Sequence, residues 1–338
     1  MASSSKSQDS LNSNSTKKRI LIEVCVDSLE SAKIAVENGA DRLEICGALD
    51  YGGGITPSMG LVESILEMFP QGIPLMIMIR PRVGSFNYNS TELDTMVSDI
   101  RSFTRLKIYS KPCNPQEKLA FKNSGGIEGF VIGALDANSR IDRSAIKYLM
   151  SATIKDMSFT FHRAFDMTAN PLKAYEDISC FEQPFARVLT SGGVKSYADH
   201  SSIDGLTRLA SSLISYRLIR GPRLMPGSGV NEKTLPQVLL ALKELWELRL
   251  ATLSISPCKS DLVSQSLDHF GEVHLSGVTW YEPYRGEQGF VEPDYRKRGM
   301  AMGASNEKEW GRWKVDGEKI KAVRRVINEF LEGLESPI

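Results

Sequence analysis

The 338 residues carry 41 Lys plus Arg against 41 Asp plus Glu, so no net charge favours nucleic acid or an acidic membrane surface. No run of about 18 apolar residues offers a membrane span, and no apolar h-region near the N-terminus offers a secretory signal. The five cysteines Cys25, Cys46, Cys113, Cys180 and Cys258 contain no CxxC pair, which argues against a zinc ribbon and for free thiols in a reducing, cytoplasmic setting.

Met1 to Thr16 is rich in Ser and Asn and almost without apolar residues, so a disordered tail is expected over 1–18. Its serine content leaves organelle targeting open, but Asp9 and the lack of arginine before Arg19 favour a plain tail. From Ile20 onward strand and helix alternate. The apolar run Ile20–Val26 reads as a strand, and Ser28–Asn38 as a helix stopped by Gly39. A second strand within Arg42–Gly47 leads through Tyr51-Gly52-Gly53-Gly54 to a helix opened by Pro57 and running to about Phe69. Strand three is Leu75–Ile79, ending at Arg80-Pro81-Arg82, with a helix from Glu92 to about Lys107.

Strand four is Gly129–Ile132, and Asp142 caps a helix to about Thr153. Strand five, Ser158–Phe161, ends at His162-Arg163-Ala164-Phe165-Asp166, and Pro171 starts the next helix. Strand six, Arg187–Thr190, ends in Ser191-Gly192-Gly193 and precedes a helix over Ile203–Ser215. Strand seven, near Arg223–Met225, ends in Pro226-Gly227-Ser228-Gly229, and Asn231 caps a helix to about Leu248. Strand eight is Glu272–Leu275, and the last helix is Glu318–Leu334. Eight such units imply a closed eight-stranded parallel (β/α)8 barrel of the TIM type, a single α/β domain over 19–338. Thr252–Phe270 is longer than an ordinary αβ loop and reads as an insertion at the bottom of the barrel.

One short pattern occurs twice. Glu23-Val24-Cys25 lies on the first strand and Glu44-Ile45-Cys46 on the second. Residues two apart on a strand share a face, so Glu and Cys of each copy point the same way. On neighbouring strands, spaced about 4.8 Å, two carboxylates and two thiols are expected to meet in one patch. Free cysteine often only packs, but thiolates also select Cu(I) over hard cations.

The set of motifs resembles the CutC family of copper homeostasis proteins. The stretches that carry the likeness are Glu23 to Ser28, Gly39 to Cys46, Gly53 to Ser58, Met78 to Arg82, Thr160 to Asp166, Leu189 to Gly193 and Met225 to Gly229. The resemblance spans about Ile20 to Gly303 and implies a TIM-type barrel, an intracellular protein, and copper as the ligand, with Cys25 and Cys46 at the places of the proposed copper ligands. The departures are the Thr252–Phe270 insertion and Arg220-Gly221-Pro222 beside strand seven.

Around the thiols the sequence puts a second set of polar groups at strand ends. Glu23, Glu44, Arg80 and His162 are the parts of acid–base chemistry on an anionic substrate, or else a buried ion network in which Arg80 and Arg42 pair the glutamates. By strand parity Arg80 shares a face with Met76 and Met78, which read as core filler, and His162 shares one with Thr160. Gly192 and Gly193 after strand six, and Gly227, Ser228 and Gly229 after strand seven, form a candidate anion site, because barrels often bind phosphate on loop amides at this end. Two functions follow as expectations: a copper-binding homeostasis protein with Cu(I) on Cys25 and Cys46, or a phosphate-binding-barrel enzyme acting on a small anionic metabolite. A scaffold for a protein partner is the blander third. Nothing in the pattern decides self-association, and a homo-oligomer stays open.

Overall fold

The computed structural model describes residues 19–70, 72–109, 126–154, 156–196, 201–215, 221–252, 271–282, 298 and 311–335. The expected tail, Cys113, Cys258 and the expected insertion beyond Thr252 lie outside these residues.

Eight strands form one sheet: β1 (Leu21–Val26), β2 (Arg42–Ile45), β3 (Pro74–Met78), β4 (Gly126–Ile132), β5 (Ser158–Phe161), β6 (Arg187–Thr190), β7 (Arg223–Pro226) and β8 (Glu272–Leu275). Their order is β7-β6-β5-β4-β3-β2-β1-β8, and every paired neighbour is parallel. β7 and β8 meet across a seam that Arg223 closes by donating to Glu272 Oε1 at 2.8 Å. Helices α1 (Leu29–Glu37), α2 (Met59–Met68), α3 (Ser90–Tyr109), α4 (Arg143–Met150), α5 (Pro171–Ser179), α6 (Ser201–Ser215), α7 (Leu235–Thr252) and α8 (Gly317–Glu335) lie between and after the strands. The result is a nearly closed (β/α)8 barrel, as expected.

Side-chain caps set several helix starts. Ser28, Ser58, Asp142 and Asn170 each accept from the amide three residues on, at 3.3, 3.2, 2.9 and 3.0 Å. Pro57, expected to open the second helix, precedes the Ser58 cap and the helix begins at Met59. Pro171 does occupy the first turn of its helix. After β8 the chain forms a small antiparallel pair that the sequence reading stopped short of, β9 (Val278–Tyr281) with β10 (Arg312–Val315). An edge-on Trp280–Trp313 contact at 5.5 Å joins the pair, and Arg312 and Lys314 bond Glu30 of α1.

Alternation divides each strand between two environments. Ile22, Val24, Leu43, Ile45, Leu75, Ile77, Phe130, Phe159, Val188 and Val273 face the helices and belong to one apolar core. The opposite parity faces the barrel interior. A smaller apolar group there holds Cys46, Met76, Met78 and Val131, and much of the rest is charged. Arg42 donates through Nε to Glu23 Oε2 at 2.5 Å and also bonds Glu272 Oε2. Arg187 Nη2 reaches Glu128 Oε1 at 3.0 Å. Its Nε lies 2.8 Å from Glu272 Oε2 but is not aligned for a hydrogen bond, so that contact is coulombic. Burial would raise the pKa of Glu272, but Arg42 and Arg187 outweigh it and hold the carboxyl below its ordinary value.

Glu272→Gln leaves the buried guanidinium groups without their shared carboxylate, so it should cost about 3–5 kcal/mol in urea unfolding. A depressed carboxylate contributes stability that is present above the unfolded pKa of 4.5 and lost as pH falls. The gap between the parent and Glu272→Gln should therefore narrow below about pH 4.5. A variant as stable as the parent at neutral pH would show that the seam does not rely on Glu272.

Candidate functional site

The register between β1 and β2 pairs Glu23 with Arg42 and Cys25 with Glu44. The two Glu-x-Cys copies are thus staggered by two residues, which follows from the tilt and shear of strands in a barrel. Cys25 stands beside Glu44 rather than beside Cys46. Cys46 lies one step higher, its amide bonded to Val26 O at 2.9 Å. The expected single patch of two carboxylates and two thiols is therefore spread over successive levels of the interior.

At the middle level Cys25 meets Glu44 and His274 of β8. Their Sγ, carboxylate and imidazole atoms all lie within 4.8 Å of one another, and all three residues are buried. His274 Nδ1 sits 2.8 Å from Glu23 Oε1, and Nε2 sits 3.6 Å from Glu44 Oε2. Glu44 Oε1 has no partner among the described residues. Cys46 Sγ lies 3.7 Å from Glu44 Oε2. Over Cys46 sits Gly54, whose backbone φ of +92° disfavours any other residue and where a Cβ would press on the sulfur at 3.1 Å.

Burial and the Glu23 charge push the Glu44 carboxyl up to about 7, against the opposing pull of His274. Burial disfavours charge on His274, but Glu44, Cys25 and Glu23 around it raise its pKa well above the ordinary value. Burial holds both thiols protonated: the Cys25 pKa is raised in spite of His274, and that of Cys46 well above normal with Glu44 adding to the effect. Glu23 is held low by Arg42 and His274 although burial opposes its charge. With both oxygens engaged, Glu23 acts here as the anchor of His274.

Above this floor opens a cavity of about 780 Å³, lined among others by Cys25, Glu44, His274, Arg80, His162 and Lys195. Arg80 shares the inner face with Met76 and Met78, as parity requires. It pairs with no carboxylate among the described residues. Its Nη1 donates to Gly52 O at 2.6 Å and Gly54 O at 3.0 Å, its Nη2 to Gly84 O at 3.2 Å, and Nε has no partner. Phe86 covers the guanidinium at 4.9 Å. Of the expected ion network the Arg42–Glu23 pair forms, while Arg80 pairs with neither Glu23 nor Glu44. The His162 ring fits only because Gly133 is bare; a Cβ there would come within 2.4 Å of it. Ala164 N donates to His162 Nδ1 at 3.1 Å, which puts the ring proton on Nε2, and Nε2 has no partner among the described residues. Burial, then the Arg80 charge, lowers the pKa of His162 to about 3.

The glycine loops are largely occupied from within. Asp166 places its carboxylate in the turn after β6 and accepts from Ser191 N at 3.0 Å, Gly193 N at 3.2 Å and Thr190 Oγ1 at 2.5 Å. Gly192 N donates to Thr190 Oγ1 at 3.0 Å and Gly227 N to Thr190 O at 2.9 Å. Arg163 pairs Asp166 at 3.0 Å and ties the turn to Ser228 Oγ at 2.8 Å. Gly193, Ser228 and Gly229 still line the cavity rim.

Sequence reasoning missed His274, Asp166 and the Arg42–Glu272–Arg187 chain. Glu272-Val-His274-Leu repeats the polar–apolar alternation of Glu23-Val-Cys25 on a buried strand, and that was the signal available for His274.

Fold and floor together define a (β/α)8 barrel whose strand-end mouth joins a thiol, a carboxylate and an imidazole. The family model described as the CutC family matches residues 20–110 and 116–246. A copper homeostasis protein cutC homolog of Homo sapiens is 38% identical over 223 residues, covering 65% of this chain and 68% of its own. A family protein CutC of Histophilus somni (strain 2336) is 31% identical over 309 residues, covering 91% of this chain and 99% of its own. The chain belongs to the CutC family. The crystal structure of a CutC protein from Streptococcus agalactiae shares the fold, with a TM-score of 0.52 at 24% identity over 76% of this chain and 98% of that one. Among the described residues no helix is long and apolar enough to cross a membrane.

His162 yields a measurable consequence. A histidine neutral down to about pH 3 in the folded state but titrating near 6.5 when unfolded contributes stability above pH 6.5 that is lost as pH falls. Its ring NMR shifts should stay constant from pH 8 to 5, and His162→Gln should remove up to about 1.4 kcal/mol per pH unit from the acid-side slope of stability. Titration of this ring near 6.5 in the folded protein would contradict the geometry.

Proposed function

We propose that this chain serves in copper homeostasis and binds Cu(I) through Cys25, with Cys46 as the second thiolate. The observation that carries the reading is the Cys25 thiol on the cavity floor, with Cys46 one step beyond it on the same inner face. Two soft thiolates in a buried interior suit Cu(I) better than hard cations. Gly54 and Leu49 pack at Cys46, so an ion entering from the cavity meets Cys25 first. Free thiols of this kind go with a reducing, cytoplasmic setting. The relatives named for copper homeostasis support the same reading. Because both thiols are protonated in the free protein, Cu(I) uptake must release protons and weaken as pH falls. In anaerobic competition against bathocuproine disulfonate the parent should take up one Cu(I). Cys25→Ser and Cys46→Ser should each weaken binding about tenfold or more, as expected for loss of a ligand, and the double variant should bind none. A double variant that binds like the parent would refute the site.

A second reading, that the mouth takes a small anionic metabolite for acid–base chemistry, is favoured by Arg80. A buried guanidinium served by carbonyls alone keeps its positive charge uncompensated. In this reading Arg80 clamps the anion, His162 donates through Nε2, and Glu44 is the acid–base group. Lys195 adds charge at the rim, while the turn amides that hold Asp166 play a lesser part. Arg80→Ala should abolish binding of phosphate, sulfate or a small carboxylate in calorimetry and leave Cu(I) affinity unchanged. A parent protein that binds none of these at millimolar concentration would end this reading.

A further inference from the structure

We infer that Cys25, Glu44 and His274 form a three-ligand site for a borderline divalent transition-metal ion, with its fourth position open to the cavity. This goes beyond the Cu(I) reading, since it shares Cys25 with it but does not need Cys46.

The ligand atoms come from β1, β2 and β8, which are adjacent in the sheet, so rigid backbone sets their spacing. Ligands around a tetrahedral ion with Zn–S near 2.3 Å and Zn–N or Zn–O near 2.0–2.2 Å lie roughly 3.3–3.7 Å apart. His274 Nε2 and Glu44 Oε2 already stand 3.6 Å apart. That separation is too long for a hydrogen bond and fits an ion held between them. The three donor atoms lie within 4.8 Å of one another, so closing on an ion asks the thiol for a shift of about 1 Å. The partnerless Glu44 Oε1 gives the carboxylate freedom to turn.

The supporting groups are also in place. A metal-ligating histidine usually donates its other ring N–H to a carboxylate, which fixes the tautomer and raises ligand basicity. His274 Nδ1 makes this contact with Glu23 at 2.8 Å, and Arg42 fixes Glu23 in turn at 2.5 Å. One soft, one intermediate and one hard donor do not suit Mg(II) or Ca(II), which take oxygen, nor do they match an all-sulfur Cu(I) site; they suit Zn(II), Co(II) or Cu(II). All three residues line the cavity. Three protein ligands with an open position is the arrangement of catalytic rather than structural zinc sites.

Co(II) is the probe, added to the full chain after chelator treatment and without oxygen. The parent should bind one Co(II) with visible ligand-field bands and a near-UV thiolate-to-cobalt band. Cys25→Ser should lose the near-UV band, and His274→Ala and Glu44→Gln should each weaken Co(II) about tenfold or more. Cys46→Ser should keep the Co(II) spectrum while losing Cu(I) affinity. Failure of this site and failure of the Cu(I) reading are thereby distinguishable. Zn(II) binding by the unaltered chain, measured against a chromophoric chelator, does not depend on any variant folding. A parent that binds neither Zn(II) nor Co(II) stoichiometrically overturns the inference, as does a Cys46→Ser variant that loses the cobalt bands as fully as Cys25→Ser.

Discussion

Arg42 on β2 bonds Glu23 on β1 and Glu272 on β8, and most of the interior depends on those two contacts. Through Glu23 the guanidinium fixes His274. Through Glu272 it is linked to Arg223, which spans the seam between β7 and β8. Charges buried this deeply are expensive, and a well-packed apolar interior would often be as stable. What the charges add is register. A one-residue slip of β2 would turn Arg42 outward into the apolar layer and take its guanidinium away from both carboxylates. The same slip would remove Glu44 from the side of Cys25. The ion network beneath the floor and the chemistry of the floor are therefore one constraint.

The interior is graded from bottom to top. Around Arg42 and Glu272 the carboxylates are engaged. Higher up, Glu44 Oε1, Arg80 Nε and His162 Nε2 have no partner among the described residues, and all three belong to residues that line the cavity. Leaving a buried polar atom unsatisfied costs about 1–3 kcal/mol. Tyr88 Oη, Thr104 Oγ1 and Arg187 Nε are also without a hydrogen-bond partner among the described residues, but three such atoms on residues lining one cavity need a reason, and a ligand that completes their bonding would supply one. The cost is met by the outer core, where apolar side chains of both strands and helices are removed from water.

The fold was legible because eight strand–helix units in succession carry it. The expected bounds of β5, β6 and β8 match those observed, and the shared inner face of Met76, Met78 and Arg80 followed from parity alone. The site was legible only in part. Cys25 and Glu44 do meet, but which members of two repeated motifs face each other depends on strand stagger, and stagger is a property of the closed barrel rather than of either strand. His274 enters because β8 pairs with β1, a contact about 250 residues apart in sequence. β9 and β10 went unread because Val-Thr-Trp-Tyr follows β8 with only Ser276 and Gly277 between, where the barrel pattern calls for a helix.

The glycine turns show a different limit. A turn whose amides converge looks alike in sequence whether the anion it holds is a ligand or a side chain of the same protein. Here Asp166 supplies the anion, and its own motif, His162 to Asp166, places it there through a 3₁₀ turn over Arg163–Met167. That exchange has a directional consequence for the cavity. With the β6 turn neutralised by Asp166 and Asp166 paired with Arg163, the turn amides offer little to an incoming anion, and Lys195 at the rim carries the charge on that wall. Arg80, across the mouth just past the end of β3, has no carboxylate against it among the described residues. It keeps its field in a setting of low dielectric, where an uncompensated charge acts most strongly. The Cys25 thiol, the His274 imidazole and the Glu44 carboxyl stand apart from it, on β1, β8 and β2. The cavity is electrostatically two-sided, with an unpaired guanidinium on one side and a thiol, a carboxyl and an imidazole on the other.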